Sequence, residues 1–291
     1  MNKQPPLLSA ALIRKMLPRR PADSHKGRNG HVVIVAGSRG MSGAAVLCAR
    51  GALRAGAGLV TVAIIESERS AVAHQLPEAL TLSLPETAAG VVDDTAMTAL
   101  RDYLQNHKVS VLAVGPGLSI ASTVTRVVRS LLQTWEYPLV LDADGINNVS
   151  LEDVRDHPGL ILTPHPGEFA RLAQLEGQRV QGDRVRLAEN MARDHHLLCV
   201  LKGYRTVVTD GRKTAINPTG NPAMATGGMG DVLTGAIAAL LAQGLKPWEA
   251  ACAGAFLHGL AGNLARTSDR GLLATDVAEA LPRALSKIGV R

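Results

Sequence analysis

The stretch His31-Val-Val-Ile-Val-Ala-Gly-Ser-Arg-Gly-Met-Ser-Gly43 joins a short β-branched apolar run to a loop of glycine and serine. A run of this kind is typical of a strand that is buried on both faces of a parallel sheet. Helix-forming residues follow from 44 to about 55, and a second apolar run spans 59–64. The order of strand, loop, helix and strand predicts a βαβ unit.

The same order recurs along the rest of the chain. Strands that alternate with helices imply a mostly parallel sheet with helices on both faces, and therefore a three-layer α/β/α fold. Further strands are predicted at 109–114, 139–141, 160–162, 197–201 and 206–209, the last as the first arm of a hairpin. Further helices are predicted at 123–135, directly after 168, and at 231–243, 247–266 and 275–287.

Every loop of unusual composition follows one of these predicted strands. Parallel sheets of this kind bind ligands beyond the carboxyl ends of their strands. We therefore expect the loops to line one rim of the sheet. They are 37–43, 115–117, 142–147, 164–168 and 202–206.

Composition restricts the class of partner. The formal net charge is +6, but the basic residues are scattered and aromatic residues make up only 2% of the chain. Few platforms for base stacking are therefore present, so no nucleic-acid partner is expected. The start of the chain lacks the apolar core of a signal peptide, and no apolar run is long enough to span a bilayer. Three widely spaced cysteines without metal-ligand spacing agree with a cytoplasmic protein.

The segment Asn217-Pro-Thr-Gly-Asn-Pro-Ala-Met-Ala-Thr-Gly-Gly-Met-Gly-Asp231 runs straight into an apolar stretch at 232–241. Glycine lets the backbone turn its N–H groups toward a ligand, and a helix start adds unpaired donors and partial positive charge. The junction therefore suits a phosphate, with Asp231 placed to take a proton from an attacking hydroxyl. A lone Gly-Asp would be better explained as a helix N-cap, but three glycines, the Asp and an unbroken apolar helix in one short segment favour a phosphoryl-transfer site.

Gly-Xaa-Gly-Asp before a long C-terminal helix resembles the ribokinase-like superfamily, in which the Asp is the base and the preceding N–H groups form an anion hole. A closer resemblance is to the ADP-dependent NAD(P)H-hydrate dehydratases, a branch of that superfamily. It covers the chain from about residue 25 to 285. The matching motifs are His25-Lys-Gly27 with Gly30, Ala36-Gly-Ser38, Gly43-Ala-Ala45, Gly115-Pro-Gly117, Leu141-Asp-Ala-Asp144, Thr163-Pro-His-Pro-Gly-Glu168, Lys202-Gly203 with Thr206, and Asn217-Pro-Thr-Gly-Asn221.

The resemblance implies repair of NADH or NADPH to which water has added across the nicotinamide C5–C6 bond. ADP would phosphorylate the C6 hydroxyl with the help of Mg²⁺, and phosphate would then leave, giving NAD(P)H, AMP and phosphate. Asp231 would be the base, and the backbone of Gly227, Gly228 and Gly230 would hold the transferred phosphoryl group. An indirect role toward Mg²⁺ is implied for Glu168.

Binding roles are likewise implied by the resemblance. Residues expected to contact the hydrated dinucleotide are Ala44, Ala45, Gly117, Asp144, His165 and Asp231. Residues expected to contact ADP or AMP are Lys202, Gly203, Tyr204, Arg205, Thr206 and Gly230. For two residues a purely architectural role stays open: His165 as a turn histidine between two prolines, and Asp144 as a turn-forming residue before Gly145.

We expect an N-terminal extension at 1–24 and a single domain at 25–291. This leaves no room for the epimerase domain that many members of the family carry, so a separate epimerase is expected as a functional partner. A homo-oligomer, a tetramer as in relatives, is a further expectation, with the Ala/Leu-rich helix at 247–266 as a candidate interface.

The main alternative is an ATP-dependent kinase of the same fold that acts on a hydroxymethylpyrimidine or thiazole alcohol. Asp231 permits that activity, whereas the Pro-His-Pro-Gly-Glu loop and Ala44-Ala45 argue against it. A dinucleotide oxidoreductase is disfavoured because glycines 37, 40 and 43 lack the Gly-Xaa-Gly-Xaa-Xaa-Gly spacing. A nucleotide sensor without turnover is disfavoured because Asp231 and its loop are intact.

Overall fold

One sheet of nine strands forms the centre of the protein, as seen in a computed structural model that describes residues 4–290. Residues 1–3 of the predicted extension and residue 291 of the predicted domain lie outside the described residues. The strands are β1 (His31–Val35), β2 (Leu59–Ile65), β3 (Leu80–Leu84), β4 (Val111–Val114), β5 (Leu139–Leu141), β6 (Leu160–Leu162), β7 (Leu198–Leu201), β8 (Val207–Thr209) and β9 (Thr214–Ile216).

Helices occupy most of the chain between these strands. The α-helices within the described residues are α1 (Ala10–Met16), α2 (Ser42–Arg54), α3 (Glu66–Gln75), α4 (Ala96–Asn106), α5 (Ser122–Thr134), α6 (Asp144–Asn147), α7 (Leu151–Val154), α8 (Pro166–Leu172), α9 (Gly177–Gly182), α10 (Arg184–Asp194), α11 (Met229–Ala242), α12 (Pro247–Ala265) and α13 (Ala274–Lys287).

The strand order across the sheet is β3-β2-β1-β4-β5-β6-β7-β8-β9. All neighbours from β3 to β7 are parallel, while β8 runs antiparallel to β7 and β9. Crossovers between parallel strands are almost always right-handed. Helices in connections that lead toward the β3 edge of the sheet therefore lie on one face, and helices in connections that lead toward β7 lie on the other. The face of α2 and α3 also carries α11 and α13, which contact α2. The predicted three-layer fold with a mostly parallel sheet is confirmed.

Each predicted strand and helix is present, and the predicted bounds agree with the structure to within two residues except for α8, which begins at Pro166 rather than directly after 168. The hairpin predicted after 206 is formed by β8 and β9. No strand or helix is predicted between residues 66 and 106, where the structure contains α3, β3 and α4. Strand β3 lies at the edge of the sheet and is only partly buried, so it lacks the continuous apolar run that marks the central strands.

The N-terminal segment packs on the far edge of the sheet. The N–H of Leu8 donates to the carbonyl of Ile216 at 2.9 Å, and the N–H of Ile216 donates to the carbonyl of Pro6 at 2.9 Å. Ile13, in α1, is fully buried, and α1 contacts α12. The segment therefore covers the edge of β9 that would otherwise present unpaired backbone groups. The domain boundary at residue 25 stays a prediction.

Helices α2 and α11 touch backbone to backbone. A Cβ atom on Gly235 would lie 1.8 Å from the carbonyl oxygen of Cys48, and one on Gly51 would lie 2.4 Å from that of Val232. Glycine at both positions is therefore a steric requirement, because no larger side chain fits between the two backbones. This contact fixes the start of α11 beside the carboxyl ends of β1 and β4, where the strand order reverses and ligands bind in open α/β sheets.

None of the helices within residues 4–290 combines the length and the hydropathy needed to cross a membrane. The three cysteines are all buried and form no disulfide.

Gly51→Ala is expected to lower the free energy of unfolding by about 1–3 kcal/mol, because the added methyl group overpacks the α2–α11 contact. Gly43→Ala lies in the same helix, but its Cβ would meet nothing within 4 Å. This matched control is expected to leave the free energy of unfolding unchanged or to raise it by up to about 1 kcal/mol. Urea unfolding followed by circular dichroism measures both, and equal values for the two variants would contradict the steric argument.

Candidate active site

The predicted loops lie together at one rim of the sheet. They follow β1, β4, β5, β6 and β7, which are neighbours in the sheet and parallel to one another. The carboxyl ends of these strands therefore meet at one edge, and the start of α11 faces the same edge through its contacts with β1, β4 and β5. The expectation that these loops converge is confirmed.

The three glycines around the start of α11 differ in whether the structure requires them. Gly228 has a left-handed φ of +84°, and a Cβ there would lie 2.4 Å from Leu47. Gly230 lies within the helix, but a Cβ on it would approach the Nζ of Lys202 to 3.1 Å. At Gly227 a Cβ would meet nothing within 4 Å. Conformation thus requires glycine at 228, and space for a lysine requires it at 230.

The first turn of α11 contains backbone N–H groups that have no partner in the part of the chain that the structure describes. The N–H of Val232 donates to the carbonyl of Gly228 at 3.2 Å, so the N–H groups before it precede the first helical hydrogen bond. These donors and the helix dipole create positive potential at the cleft, which favours an anion. Gly228 and Gly230, the predicted phosphoryl-holding residues, lie at this point.

A buried lysine connects the loops after β5, β6 and β7. The Nζ of Lys202 donates to Oδ1 of Asp142 at 2.6 Å and lies 3.8 Å from Oε2 of Glu168. Thr234 donates from Oγ1 to Oδ2 of Asp142 at 2.7 Å. Asp142 is 1% exposed and Glu168 is 6% exposed, so this charge network is largely removed from water.

The network sets the ionisation of its members. Burial opposes the charged form of Asp142, but Lys202 and Thr234 outweigh it and hold the pKa of that carboxyl below its usual value. Burial also opposes the charge on Lys202, yet Asp142 and Glu168 together raise its pKa. For Glu168 burial prevails over the attraction of Lys202, and its pKa is raised. The ammonium of Lys202 therefore forms a stronger ion pair with Asp142 than with Glu168.

Asp231, the third residue of α11, lies beside this network and interacts with Lys202 only through the longer-range attraction of opposite charges. Its carboxylate accepts no hydrogen bond from any group within residues 4–290. Burial and the charge of Asp142 raise its pKa to about 7, and Lys202 counteracts them only in part. A half-buried, unpaired carboxylate with this pKa can accept a proton near neutral pH.

His165 forms the N-cap of α8, so its architectural role is real. Its Nδ1 accepts hydrogen bonds from the N–H of Gly167 at 2.9 Å and of Glu168 at 3.3 Å. The carboxylate of Glu168 accepts in turn from the N–H of His165 at 2.7 Å. In the neutral ring the proton is thus on Nε2, and the side chain of His165 is 56% exposed toward solvent. The cap therefore leaves Nε2–H as a donor, and the predicted substrate contact stays a prediction.

Asp144 also has an architectural contact. Its Oδ2 accepts from the N–H of Ser119 at 2.8 Å, and its Oδ1 accepts from the side chain of Asn147 at 3.3 Å. The carboxylate therefore ties the loop after β4 to the loop after β5. A role of Asp144 in binding the dinucleotide stays a prediction.

The loop after β4 lies close to the start of α2. A Cβ on Gly117 would lie 3.0 Å from that of Ala44, and Ser38 donates from Oγ to the carbonyl of Gly117 at 2.8 Å. Ala44 is partly exposed, whereas Ala45 is fully buried, so only the backbone of Ala45 could reach a ligand. The three small residues predicted to face the dinucleotide are thus brought together.

The loop after β7 contains the predicted nucleotide-binding residues. Gly203 has a φ of +133° and Arg205 a φ of +57°, while Oγ1 of Thr206 donates to the carbonyl of Gly203 at 3.1 Å. Tyr204 is 88% exposed and forms no described side-chain hydrogen bond. The loop therefore presents mainly backbone groups, with Lys202 at its base.

Two residues that contact this site were not predicted. Thr234 holds Asp142 from one turn beyond Asp231, a helical spacing that could have been read from the sequence. Arg184 donates to backbone carbonyls of the loop after β7 from a helix that precedes that strand. No local pattern in the sequence connects Arg184 with that loop.

Known proteins share this architecture. Residues 32–283 match the family model described as NAD(P)H-hydrate dehydratase. The bifunctional NAD(P)H-hydrate repair enzyme Nnr of Moorella thermoacetica is 46% identical over 289 residues, which cover 97% of this chain and 54% of that protein. The ADP-dependent (S)-NAD(P)H-hydrate dehydratase of Listeria monocytogenes is 35% identical over 270 residues, which cover 91% of each protein.

A crystal structure of the ADP/ATP-dependent NAD(P)H-hydrate dehydratase from Bacillus subtilis, co-crystallised with ATP/Mg²⁺, has a TM-score of 0.84 and 31% identity, and covers 98% of this chain and 99% of that one. This likeness confirms the predicted ribokinase-like fold. The chain spans about half the length of the bifunctional relatives that it matches. On the extent of the family match and these identities, the chain belongs to the NAD(P)H-hydrate dehydratase family.

Proposed function

We propose that the protein repairs hydrated nicotinamide nucleotides by ADP-dependent dehydration of the S form of NADH hydrate or NADPH hydrate. The observation that carries the proposal is the unpaired carboxylate of Asp231, with its pKa near 7, in the first turn of α11. Membership of the family favours this activity over the alternative of an ATP-dependent kinase for a small alcohol.

In the first step Asp231 accepts the proton of the C6 hydroxyl as its oxygen attacks the β-phosphorus of ADP. The P–O bond to AMP breaks and AMP leaves with the electron pair. The free N–H groups at the start of α11 stabilise the charge on the phosphoryl group during transfer, and Lys202 adds positive charge beside them.

In the second step the C6–O bond breaks and phosphate leaves with the electron pair, assisted by the lone pair of the ring nitrogen. Loss of the proton from C5 then forms the C5–C6 double bond of NAD(P)H. Phosphorylation drives the sequence because hydroxide is a poor leaving group and phosphate is a good one. Products are NAD(P)H, AMP, phosphate and a proton.

Mg²⁺ is proposed as a companion of the nucleotide, where it would neutralise charge on the phosphate oxygens. Within residues 4–290 no group of three His, Cys, Asp or Glu residues could hold a metal ion. Both oxygens of Glu168 face donors, at His165 and Lys202. These contacts argue against direct coordination of a metal by Glu168, so the proposed ion would be carried by the phosphates and would be contacted by Glu168 only through water.

The remaining roles are part of the same proposal. Lys202 to Thr206 would bind ADP, and the rim formed by Ala44, Gly117 and His165 would receive the hydrated dinucleotide. A separate epimerase would convert the opposite stereoisomer of the hydrate, and the protein would act in the cytoplasm.

The direct test is incubation of the protein with NADH hydrate, ADP and Mg²⁺. We expect the NADH absorbance to return, with AMP and phosphate formed in equal amounts.

Asp231→Asn should fold and bind both substrates but lose about 10²–10⁴-fold in kcat, the usual contribution of a general base. Asp102→Asn, on the exposed side of α4, is the control with unchanged turnover. Near-normal kcat in Asp231→Asn rejects the base, and phosphorylation of a small alcohol by ATP without NADH recovery supports the kinase.

The raised pKa of Asp231 also predicts a pH dependence of stability. The folded-state pKa of about 7 exceeds the unfolded value of 3.8, so the stability contributed below pH 3.8 is lost as the pH rises through 7. Asp231→Asn lacks this titration. Its midpoint of thermal unfolding should therefore match that of the wild type near pH 4, exceed it increasingly up to pH 7, and keep a constant lead above that. A difference that does not change with pH would contradict the assigned pKa.

A homo-tetramer is proposed from the resemblance alone. The apolar residues of α12 are already buried against α1, α11 and α13 of the same chain, so this helix does not need a partner subunit. Light scattering should give the mass of four chains, and the mass of a single chain would overturn the proposal.

A further inference from the structure

Arg184, the first residue of α10, lies behind the loop after β7. Its Nη1 donates to the carbonyl of Tyr204 at 2.6 Å, and its Nη2 donates to the carbonyls of Leu201 and Lys202, each at 2.8 Å. A Cβ on Gly203 would lie 3.1 Å from Nη2, so the loop packs directly on the guanidinium group. One side chain thus holds three carbonyls within four consecutive residues.

These contacts determine where the amide groups of the loop point. In a planar trans peptide the N–H points opposite to the carbonyl of the preceding residue. The carbonyl of Leu201 faces Arg184, and the N–H of Lys202 accordingly points away and donates to Pro164 at 2.9 Å. By the same geometry the N–H groups of Gly203 and Arg205 point away from the guanidinium.

The two outward amides have no partner of their own. Neither the N–H of Gly203 nor that of Arg205 donates to another group within residues 4–290. Gly203 and Arg205 have positive φ values, +133° and +57°, so the backbone turns sharply in this short loop. Two unpaired backbone N–H groups this close in the chain offer partial positive charge to an anion.

We infer that Arg184 is a positioning residue for the nucleotide: it turns the carbonyls of the loop inward, so that the N–H groups of Gly203 and Arg205 face the phosphate oxygens. The inference rests on the proposed function, in which this loop binds ADP. Arg184 itself does not touch the nucleotide. Its positive charge lies behind the amides and adds to the potential that an anion meets there.

Arginine suits this task better than lysine. The planar guanidinium presents donors in a rigid fork, which matches three carbonyls at fixed angles, whereas an ammonium is a compact point charge. Burial lowers the pKa of Arg184, but an arginine side chain stays protonated in proteins. Arg184→Lys therefore keeps the charge and removes the fork.

The competing explanation is that Arg184 only fastens α10 to the sheet. A fastening role predicts that both substrates and thermal stability are affected together. A positioning role predicts a selective loss of nucleotide affinity, with little change in the KM for the hydrated dinucleotide.

The test measures binding of ADP and of ATP by calorimetry, without the second substrate, to the wild type, Arg184→Lys and Arg184→Ala. For whichever of the two nucleotides the wild type binds, we expect the affinity to fall roughly 10- to 100-fold in both variants. This is the loss that corresponds to a hydrogen bond involving a charged group. Methylguanidine should restore part of the affinity in Arg184→Ala. Arg186→Ala is the matched control with unchanged affinity, because Arg186 is exposed and, among the residues from 4 to 290, pairs only with Asp183.

Three outcomes overturn the inference. They are unchanged nucleotide affinity in folded Arg184→Lys, a parallel rise in the KM for both substrates together with a fall in the unfolding temperature, and a wild type that binds neither nucleotide. A wild type that binds nucleotide but regenerates no NADH refutes the proposed function only. In that case the calorimetric comparison still decides the role of Arg184, and Arg184→Lys decides it if Arg184→Ala does not fold.

Discussion

The candidate site depends on one buried ammonium group shared unequally among three carboxylates. Lys202 donates to Asp142 at 2.6 Å and lies 3.8 Å from Glu168. Its positive charge therefore stabilises these two carboxylates more than it stabilises Asp231. Each ion pair lowers the cost of burying its own members, whereas Asp231 experiences burial and the repulsion of its neighbours. The same pair that stabilises the end of β5 against the end of β7 thereby leaves one carboxylate with a raised pKa. Structure and reactivity have the same electrostatic origin here.

A phosphate that enters this cleft brings further negative charge close to Asp231. Without compensation it would be repelled, and the compensation comes from backbone donors on two separate elements. The start of α11 provides one set, and the loop after β7 provides the other, with Lys202 between them. Because these donors are fixed by helix geometry and by Arg184, they would need little reorganisation in the proposed phosphoryl transfer. The added negative charge would also strengthen Asp231 in its proposed role as a base, since it would raise the pKa of the carboxyl further.

Much of the fold could be predicted because its central strands are short apolar runs closed by glycine or by a polar residue, as at His31–Val35. The site could be placed because parallel strands bring their carboxyl ends to one edge. Strand β3 was missed because an edge strand need not be apolar throughout. Arg184 was missed because it binds backbone carbonyls, which every residue has, so the sequence does not show which ones it contacts. Contacts of that kind depend on tertiary packing. The N-cap role of His165 could be stated only as an alternative, since its Nδ1 is committed by backbone geometry that the sequence does not show.

Gly230 was singled out from the sequence for its backbone freedom, but the structure gives a different reason for glycine at this position. In the sequence it counts as a residue that frees the backbone for a ligand, but it lies in the regular first turn of α11 and has no left-handed φ. Its missing side chain matters because Lys202 occupies that space, with Nζ 3.1 Å from where a Cβ would be. A methyl group there would require the ammonium to shift by a few tenths of an ångström beside Asp142. The glycine next to Asp231 therefore leaves space for the lysine that pairs with Asp142.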